Sequence, residues 1–372
     1  MPPQKILFLI HDLGHGGAEK VLVNLVNNMD RSKFDITVMA LFGGGVNEQF
    51  LSKDIRLIVC HPKAFPGNSH VMKLFTPKQL YRYYIRERYD IIVSYLEGPS
   101  ARIVSGCPDP DTKLVSWIHI EQKTKKWAAR SFRSYQEASA CYQRFDRTIC
   151  VSDSVRKDFA HLFPAVAAQN VLYNTNETAK IICASQEPVP NDLFLATETN
   201  IVCVGKILPN KGFDRVARIH KRLRDNGYPV HTYILGTGPQ QNEIEQYLQN
   251  HHLSDSYTFL GYQTNPYKYV AKCDLFVCAS FAEGFSTAAT EALIVETPVC
   301  TVEVSGMKEM LGENNEWGIV TENSEEALYQ GIKRLLDDPA LLAHYKEKAA
   351  QRGKTFSTEN TVKAVEEMLL NL

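Results

Sequence analysis

Glu283 and Glu291 flank a Gly-Phe-Ser-Thr sequence in the second half of the chain, and two carboxylates at this spacing can do chemistry on a ligand. They can act as an acid–base pair, or they can accept hydrogen bonds from ligand hydroxyls. Ser286 or Thr287 is a good N-cap, so a helix is predicted to begin there and to carry Glu291 one turn inside. The amides at the helix start, from Phe285 onward, would suit a phosphate, so the two carboxylates would lie on either side of an anion site.

The predicted helix has little polar surface apart from Glu291. Its other residues near that position are apolar: Ala288, Ala289, Ala292, Leu293 and Ile294. The alternative that Glu291 only faces water is weaker for this reason, because a solvated helix face is normally polar along its length. Gly284 would allow the sharp bend before the helix, and Thr297-Pro298 would end it near Glu296.

Lys206 and Lys211 bracket a Pro-Asn turn at the end of another predicted strand. Gly212 and Phe213 open the next helix, so two ammonium groups would stand beside a helix N-terminus, which is an arrangement that suits a diphosphate. Lysines that flank a surface turn are often merely solvated. The pair alone therefore leaves both interpretations open.

Glycines follow several predicted strands. Gly16 and Gly17 come after the first strand and open a helix, where bare backbone could approach an anion or a sugar, although the spacing is not GxGxxG. Gly236 and the Gly-Tyr262 pair end two later strands, where a flat base could lie against backbone. An ordinary turn between strand and helix explains each of these equally well.

The composition excludes several classes of protein. Across 372 residues the formal net charge is −1 and the sequence pI is about 6.8, so nothing indicates a nucleic-acid partner. The nine cysteines are odd in number and form no CxxC pair, which favours reduced thiols over a disulfide framework or a zinc site. No apolar run approaches the roughly 20 residues of a membrane span. We expect a cytoplasmic protein that at most rests on a membrane surface.

Short aliphatic runs alternate with helical patterns along the whole chain, which predicts an α/β protein with parallel sheets. Strands are predicted at 5–10, 35–41, 90–95, 113–118, 147–151, 200–205, 230–236, 274–279 and 298–302. The Pro-containing stretch 183–199 interrupts the pattern. We therefore expect two Rossmann-like, doubly wound domains facing each other across a cleft: residues 1–182, a linker at 183–199, and residues 200–356. A last helix at about 357–372 is expected to pack back on the first domain.

These motifs, in this order, resemble the retaining family-four glycosyltransferases of the GT-B fold, a group that includes bacterial capsule, exopolysaccharide and lipid-linked oligosaccharide enzymes. The family's EGF segment matches Glu283-Gly284-Phe285, its later glutamate matches Glu291, and its KG pair matches Lys211-Gly212. In the first half, Gly16-Gly17 resembles the family's glycine loop, and His119 resembles its histidine after a central strand. The resemblance covers nearly the whole chain.

The resemblance implies transfer of a hexose or N-acetylhexosamine from a nucleotide diphosphate sugar to a glycan acceptor, often lipid-linked, with retention. Uridine is favoured by its frequency in the family. Glu283 and His119 would contact the donor sugar, Glu291 the ribose, and Lys206 and Lys211 the diphosphate. The remaining expected donor-binding residues are Gly16, Gly17, Gly236, Tyr262, Gly284, Phe285, Ser286 and Thr287. No DxD motif stands in a matching position, so neither a divalent metal nor another cofactor is expected.

Three positions depart from the family pattern, one of them being His15, which lies within the glycine loop of the first domain and could reach the cleft. Lys206 stands where an arginine is usual, which keeps the charge and loses the bidentate fork. Glu296 stands where a glycine is usual, so we expect the preceding helix to end with a different cap. For His119, a buried structural role is the alternative. A nucleotide-sugar epimerase and a non-catalytic partner subunit are the alternative functions. The first should lack the segment around Glu283, and the second would be expected to have lost Glu283, Lys211 or His119.

The segment 122–142 is interpreted as one basic amphipathic helix in the first domain. It would put Lys126, Arg130 and Arg133 on one face and aromatic residues on another. Such a helix can rest on anionic lipid, or it can pack its aromatics into the core with the charges in water. Membrane contact, if it occurs, is expected through Lys123, Lys125, Lys126, Arg130 and Arg133.

Overall fold

The computed structural model describes residues 2–64, 67–166, 169–190 and 193–372. The chain divides into two compact units, the first made of Met1–Asn176 with Thr358–Leu372, the second of Glu177–Ser357. The first part of the first unit ends at Asn176, six residues before residue 182, at which the sequence analysis ended the first domain. The reason is that the helix Thr178–Ser185 packs on the second unit, where Asn265 donates a hydrogen bond of 2.9 Å to the Ala184 carbonyl. Within the expected linker, Asn191 and Asp192 lie outside the described residues.

The first unit contains a seven-stranded parallel sheet in the order β3-β2-β1-β4-β5-β6-β7. Its strands are β1 Gln4–Ile10, β2 Phe34–Phe42, β3 Arg56–His61, β4 Ile91–Ser94, β5 Lys113–Ile118, β6 Arg147–Cys150 and β7 Gln169–Val171. Its first helices are α1 Gly17–Asn28, α2 Asn68–Met72, α3 Pro77–Tyr84, α4 Pro99–Val104, α5 Lys125–Ala128, α6 Tyr135–Tyr142 and α7 Asp153–Leu162.

The second unit contains a six-stranded parallel sheet in the order β10-β9-β8-β11-β12-β13. Its strands are β8 Thr199–Val204, β9 Val230–Leu235, β10 Tyr257–Gly261, β11 Leu275–Cys278, β12 Val299–Val302 and β13 Ile319–Thr321. Its helices are α8 Thr178–Ser185, α9 Phe213–Asp225, α10 Gln241–Asn250, α11 Tyr267–Val270, α12 Thr287–Ile294, α13 Met307–Leu311, α14 Glu325–Asp337 and α15 Pro339–Gly353. The prediction of two Rossmann-like domains is confirmed.

Both sheets reverse their winding beside their first strand. The chain starts at β1 or β8, builds outward to one edge, and then returns to place β4 beside β1 and β11 beside β8. In open α/β sheets, ligands bind at the carboxyl ends of the strands on either side of such a reversal. The central strands are buried on both faces, as residues 6–10 of β1 show with no exposed surface, which fits their continuous aliphatic sequence.

All nine strands predicted from sequence are present, and four further strands, β3, β7, β10 and β13, were not predicted. The four share one property: each lies at an edge of its sheet. An edge strand is covered less completely, so its sequence does not need the continuous apolar run that marks a central strand. β3, for example, consists of exposed and half-buried residues, and none of its residues is fully buried.

The prediction of one amphipathic helix over 122–142 is wrong. The structure has two short helices, α5 and α6, because Thr124 and Ser134 each act as an N-cap, accepting hydrogen bonds from the amides of Trp127 and Glu137. Side-chain capping at Ser134 begins a new helix inside the segment and leaves no continuous apolar face. None of the described helices is long and apolar enough to cross a bilayer.

The last helix, α16 Thr358–Leu370, belongs to the first unit. Val365 and Leu369 on this helix are almost fully buried. Glu366 accepts a hydrogen bond of 2.6 Å from the amide of Asp30 and pairs with Lys33 Nζ at 2.7 Å. The first unit is thus completed by the end of the chain.

Candidate active site

The loops that follow β8 and β11 meet at the winding reversal of the second sheet. Lys211, on the first loop, places its Nζ 2.6 Å from Oε1 of Glu283 on the second. Both side chains are mostly buried, at 28% and 13% exposure. The sequence placed these two residues at the same sheet edge, and the strand order brings them into direct contact.

Gly212 allows the two loops to approach this closely. Its backbone is left-handed, with φ of +69°, and a Cβ at this position would overlap the carbonyl oxygen of Ala279. Next to it, the amide of Phe281 donates a hydrogen bond of 2.8 Å to the Asn210 carbonyl. Any side chain at position 212 would therefore push the Lys211 loop away from the Glu283 loop.

Glu283 is fixed by a second donor, which sequence reasoning missed. The Ser280 hydroxyl donates to Oε1 of Glu283 at 2.7 Å, so Lys211 and Ser280 contact the same carboxylate oxygen. An oxygen that already accepts two hydrogen bonds in a mostly buried position is well oriented and poorly placed to attack carbon. The local signal was available in the Ser-x-x-Glu spacing at the end of β11.

The start of α12 agrees with the predicted cap. Ser286 is the N-cap, and its hydroxyl accepts a hydrogen bond of 3.3 Å from the amide of Ala289. Helix geometry leaves the amides of Thr287 and Ala288 outside the intrahelical ladder, at the positive end of the helix. The loop residue Gly284 comes just before this turn and directly after Glu283, so the carboxylate and the helix start are held in one short segment.

Glu291 is buried within its unit. It is 7% exposed, and the Tyr267 hydroxyl lies 3.4 Å from its Oε1 at a distance typical of a weak hydrogen bond. The interpretation that Glu291 faces water is therefore wrong. Tyr267 begins the short helix α11, and nothing in the local sequence around Glu291 indicates this partner.

The side chain of Phe285 packs in the interior of the second unit. It is 6% exposed, and its ring contacts Phe356 edge-on at a centroid distance of 5.9 Å. Its anchoring in the core fixes the backbone on either side. Any contact of Phe285 with a ligand would then use its backbone rather than its ring.

The other expected donor-binding residues of this unit lie at the same sheet edge. Lys206 is exposed in the loop after β8, and Tyr262 is 53% exposed directly after β10. Gly236 directly follows β9, a Cβ there would overlap the Gly205 carbonyl oxygen, and the Gly236 amide donates to the Gly261 carbonyl at 2.8 Å. The observed role of Gly236 is thus close approach of neighbouring backbones at the carboxyl ends of β8, β9 and β10.

Arg215 packs against the loop that carries Glu283, and this contact was not predicted from sequence. The residue lies in the first turn of α9, is 2% exposed, and stacks its guanidinium on the Phe281 ring at 3.9 Å. Its Nη1 donates to Asn323 at 2.9 Å. Burial lowers the pKa of Arg215, but a guanidinium remains a cation at any ordinary pH. Phe281 is two residues before Glu283, so this stack helps to hold the loop.

His119, in the first unit, directly follows β5 and is buried. Its ring lies 5.0 Å from that of Tyr95, and within the described residues its Nε2 has no hydrogen-bond partner. Burial lowers the pKa of His119 to about 3, so the ring is neutral at ordinary pH. The His119 amide donates a hydrogen bond of 3.1 Å to the carboxylate of Glu97, a residue that the sequence did not predict for the site. Burial raises the pKa of the Glu97 carboxyl.

The predicted glycine loop follows β1, beside β4 at the reversal of the first sheet. Gly16 is the N-cap of α1 and Gly17 is its first residue. The carboxylate of Glu19 folds back so closely over Gly16 that a Cβ there would overlap it.

In the part of the chain that the structure describes, no three His, Cys, Asp or Glu side chains form a metal-ligand cluster.

Two protein-family models match the chain and divide it in the same way as the fold. Residues 15–175 match the model described as Glycosyltransferase Family 4, and residues 187–352 match the model described as Glycosyl transferases group 1. Together the two models account for most of both units.

Curated relatives match over nearly the full length. An N-acetylgalactosamine-N,N'-diacetylbacillosaminyl-diphospho-undecaprenol 4-alpha-N-acetylgalactosaminyltransferase from Campylobacter jejuni is 27% identical, over 95% of this chain and 96% of its own. The lipopolysaccharide core biosynthesis glycosyltransferase LpsD from Rhizobium meliloti is 24% identical, over 98% of this chain and 96% of its own.

Among solved structures, HepE from Anabaena in complex with UDP-glucose superposes with a TM-score of 0.79. The two sequences are 19% identical, and the match covers 99% of this chain and 100% of that one. This similarity establishes a common fold. The family models on both units and the full-length glycosyltransferase relatives, taken with this common fold, show that the chain belongs to the family-four glycosyltransferases of the GT-B fold.

Proposed function

We propose that this glycosyltransferase moves a hexose or N-acetylhexosamine from a UDP-sugar to a lipid-linked glycan acceptor, with retention of the anomeric configuration. The product would serve surface polysaccharide or glycoconjugate biosynthesis, and the protein would work in the cytoplasm at the inner membrane face. One observation carries the donor site: the Lys211–Glu283 pair at the winding reversal, next to the N-terminus of α12. The relatives whose names include diphospho-undecaprenol acceptors support the acceptor class.

The donor would lie along the β11–α12 segment. The diphosphate would be held by the ammonium groups of Lys206 and Lys211 and by the amides of Thr287 and Ala288. Glu283 would accept hydrogen bonds from hydroxyls of the transferred sugar, and the buried carboxylate of Glu291 would accept them from the ribose. HepE is a solved structure of the same fold that contains UDP-glucose, which supports uridine as the base.

The proposed reaction takes place on one face of the sugar. The acceptor hydroxyl forms a bond to the anomeric carbon while the bond to the diphosphate oxygen breaks, and that bonding pair leaves with the phosphate. The hydroxyl proton passes to a phosphate oxygen of the leaving group. Lys211 would stabilise the negative charge that develops on the phosphate. Glu283, with Oε1 occupied by Lys211 and Ser280, would orient the sugar and would not attack it.

His119 would contact the donor sugar as a neutral ring. With a pKa of about 3 it cannot act as a cation at neutral pH, so its contribution would be a hydrogen bond at Nε2. No divalent metal is required in this scheme, because lysines and helix amides supply the charge stabilisation. Activity should therefore survive treatment with a chelator.

A panel of nucleotide sugars tests the proposal. One UDP-sugar should raise the thermal unfolding temperature and be slowly hydrolysed, and Glu283→Ala and Lys211→Ala should abolish the hydrolysis. Lys157→Ala, an exposed ion-paired lysine of the first unit, is the matched control. Analysis of the released product separates transfer or hydrolysis from epimerisation, and the anomeric configuration of the transferred sugar reports retention. Unchanged turnover in both site variants would remove the site assignment.

A further inference from the structure

In the first unit, two arginines bind four consecutive backbone carbonyls. Arg102 donates to two of them, through Nη1 and Nη2, each at 2.7 Å, and Arg133 donates to the two between, through Nε at 2.6 Å and Nη2 at 2.9 Å. The carbonyls belong to Met72, Lys73, Leu74 and Phe75. The end of α2 and the turn after it are thereby tied to the body of the unit.

Glu137 joins the two arginines. Its carboxylate accepts from Arg102 Nη2 at 2.9 Å and Nε at 3.1 Å, and it also accepts from the Arg133 amide at 2.6 Å. Arg102 is only 1% exposed, and charge-assisted bonds of this kind are strong and directional. The turn is thus held rigidly, in one orientation.

Three apolar side chains of this segment are exposed, whereas that of Met72 is buried. Leu74 is 75% exposed, the highest value for any large hydrophobic side chain in the described residues, and Val71 and Phe75 are both close to half exposed. The segment that leads to Arg133 adds Trp127, on α5, which is also close to half exposed and has Arg130 stacked on its ring at 4.1 Å. Clustered exposed apolar residues mark an interaction surface.

The same two segments are basic and contain no acid. Residues 55–86 include no Asp or Glu, and neither do residues 122–136, in a chain whose overall net charge is −1. The first segment carries Lys73 and Lys78 next to the apolar turn, and the second carries Lys125, Lys126 and Arg130. Since Arg133 binds the carbonyls of Lys73 and Leu74, the structure joins two basic stretches that are far apart in sequence.

We propose that residues 71–78 and 123–133 form a docking surface for an anionic phospholipid bilayer. Val71, Leu74, Phe75 and Trp127 would enter the interface between headgroups and chains, where tryptophan is favoured, and the lysines and arginines would meet the phosphates. The proposal rests on the proposed function, because an acceptor with a lipid anchor is found only at such a surface. It replaces the single basic helix expected from sequence with a composite surface built around a rigid turn.

Charge and exposed apolar area together select this occupant. A polyanion such as a nucleic acid would use the basic side chains and leave Leu74 in water, whereas a purely apolar protein partner would leave the lysines unpaired. A bilayer with anionic headgroups satisfies both kinds of side chain at once. The lipid chain of a single acceptor molecule is the competing occupant, and it need not depend on bilayer charge.

Binding to lipid vesicles tests the docking surface on the full-length protein. Wild type should cosediment with phosphatidylglycerol-containing vesicles, should bind pure phosphatidylcholine vesicles weakly, and should lose binding at high salt. The double variant Leu74→Ser/Phe75→Ser should bind about tenfold more weakly. Lys78→Glu and Lys126→Glu should each weaken binding about fivefold or more. Phe50→Ser, at a similarly exposed phenylalanine of the same unit, is the matched control.

The outcomes separate this inference from the proposed function. Equal binding to neutral and anionic vesicles, or equal loss in the Phe50→Ser control, would overturn the docking surface. It would also be overturned if the double variant bound vesicles like wild type but lost transfer to a lipid-linked acceptor, since the surface would then hold the acceptor chain. Hydrolysis of the donor sugar should be unchanged in the double variant. Absence of hydrolysis in wild type would count against the proposed function and leave the vesicle result standing. Thermal unfolding checks that each variant is folded.

Discussion

Lys211 Nζ and Glu283 Oε1 are 2.6 Å apart although 72 residues separate them in sequence. The contact joins the loops after two strands that are neighbours only because the second sheet reverses its winding between β8 and β11. Each residue therefore orients the other before any ligand binds. A site that is organised in advance loses little free energy on reorganisation during the reaction.

Replacing either member of this pair should impair turnover more than donor binding. Glu283→Gln and Lys211→Met are each expected to lower kcat about 100-fold, because each removes preorganised electrostatic stabilisation. The two effects on kcat should not add, because either change already disrupts the contact. The kcat of the double variant should therefore be close to that of the less active single variant. Steady-state kinetics on all three proteins measures this. Full additivity would show that the two residues act independently.

Glu291 is expected to make the protein prefer nucleotides with ribose hydroxyls over nucleotides that lack those hydroxyls. Glu291→Gln should weaken UDP binding about tenfold, since a hydrogen bond to a carboxylate is stronger than one to an amide. It should also reduce the preference for UDP over 2′,3′-dideoxy-UDP, which titration calorimetry can compare directly. Tyr267→Phe removes the 3.4 Å contact to Glu291 while leaving the carboxylate in place, and it is the control. If Glu291→Gln weakens both nucleotides equally, the carboxylate does not bind the ribose.

The buried histidines should make the protein sensitive to mild acid. Burial lowers the pKa of His119 and of His220 to about 3, from an ordinary value of 6.5. Between these values the unfolded chain binds protons that the folded chain does not, so the free energy of unfolding falls as the pH falls. Each histidine contributes a slope of up to about 1.4 kcal/mol per pH unit. The loss should begin just below pH 6.5.

Urea unfolding at a series of pH values tests this dependence. In His119→Gln, the first unit should lose its share of the acid sensitivity, while the share due to His220, which bonds to Thr232 and Ser256 in the second unit, should persist. Equal slopes for wild type and His119→Gln would mean that His119 is already protonated in the folded protein.

Glu296 offers a gain in stability. It has a left-handed backbone with φ of +66°, its amide donates to the Leu293 carbonyl at 3.1 Å, and the Thr297 amide donates to the Ala292 carbonyl at 2.9 Å. This is the cap that a glycine normally makes, so the expectation of a different cap is wrong. Glu296→Gly should raise the free energy of unfolding by about 0.5–1 kcal/mol.

The matched comparison for this change is Glu296→Ala. Alanine also removes the carboxylate but keeps a Cβ in the left-handed conformation, so it should bring no gain. Thermal or denaturant unfolding of the two variants side by side measures the difference. A similar gain from both would assign the effect to the charge and not to the backbone.

The sequence predicted the interior of each sheet and not its edges. Central strands such as β1 and β4 are recognisable by continuous apolar runs, because both of their faces are covered. The edge strand β13 has three residues, two of them half-buried, and carries no comparable signal. Strand order, which places β11 beside β8, is likewise a property of the whole sheet and cannot be seen in any short segment.

The same limit applies to the candidate site. Residues that act within one loop, such as Glu283 with the cap Ser286, could be recognised from spacing alone. Partners that arrive from other elements could not: Tyr267 beside Glu291, and Arg215 beneath Phe281, depend on packing between helices and loops. The basic segment of the docking surface could be recognised from sequence, but its connection to the apolar turn, through the bonds of Arg133 to the Lys73 and Leu74 carbonyls, could not.

The return of α16 to the first unit has a consequence for synthesis on the ribosome. The first 176 residues emerge early, yet the contacts of Glu366 with Asp30 and Lys33 can form only after the last helix has been translated. Until then the first unit exposes the apolar surface that Val365 and Leu369 later cover. The second unit is continuous in sequence and can fold meanwhile, so the half of the molecule made first is the half that is finished last.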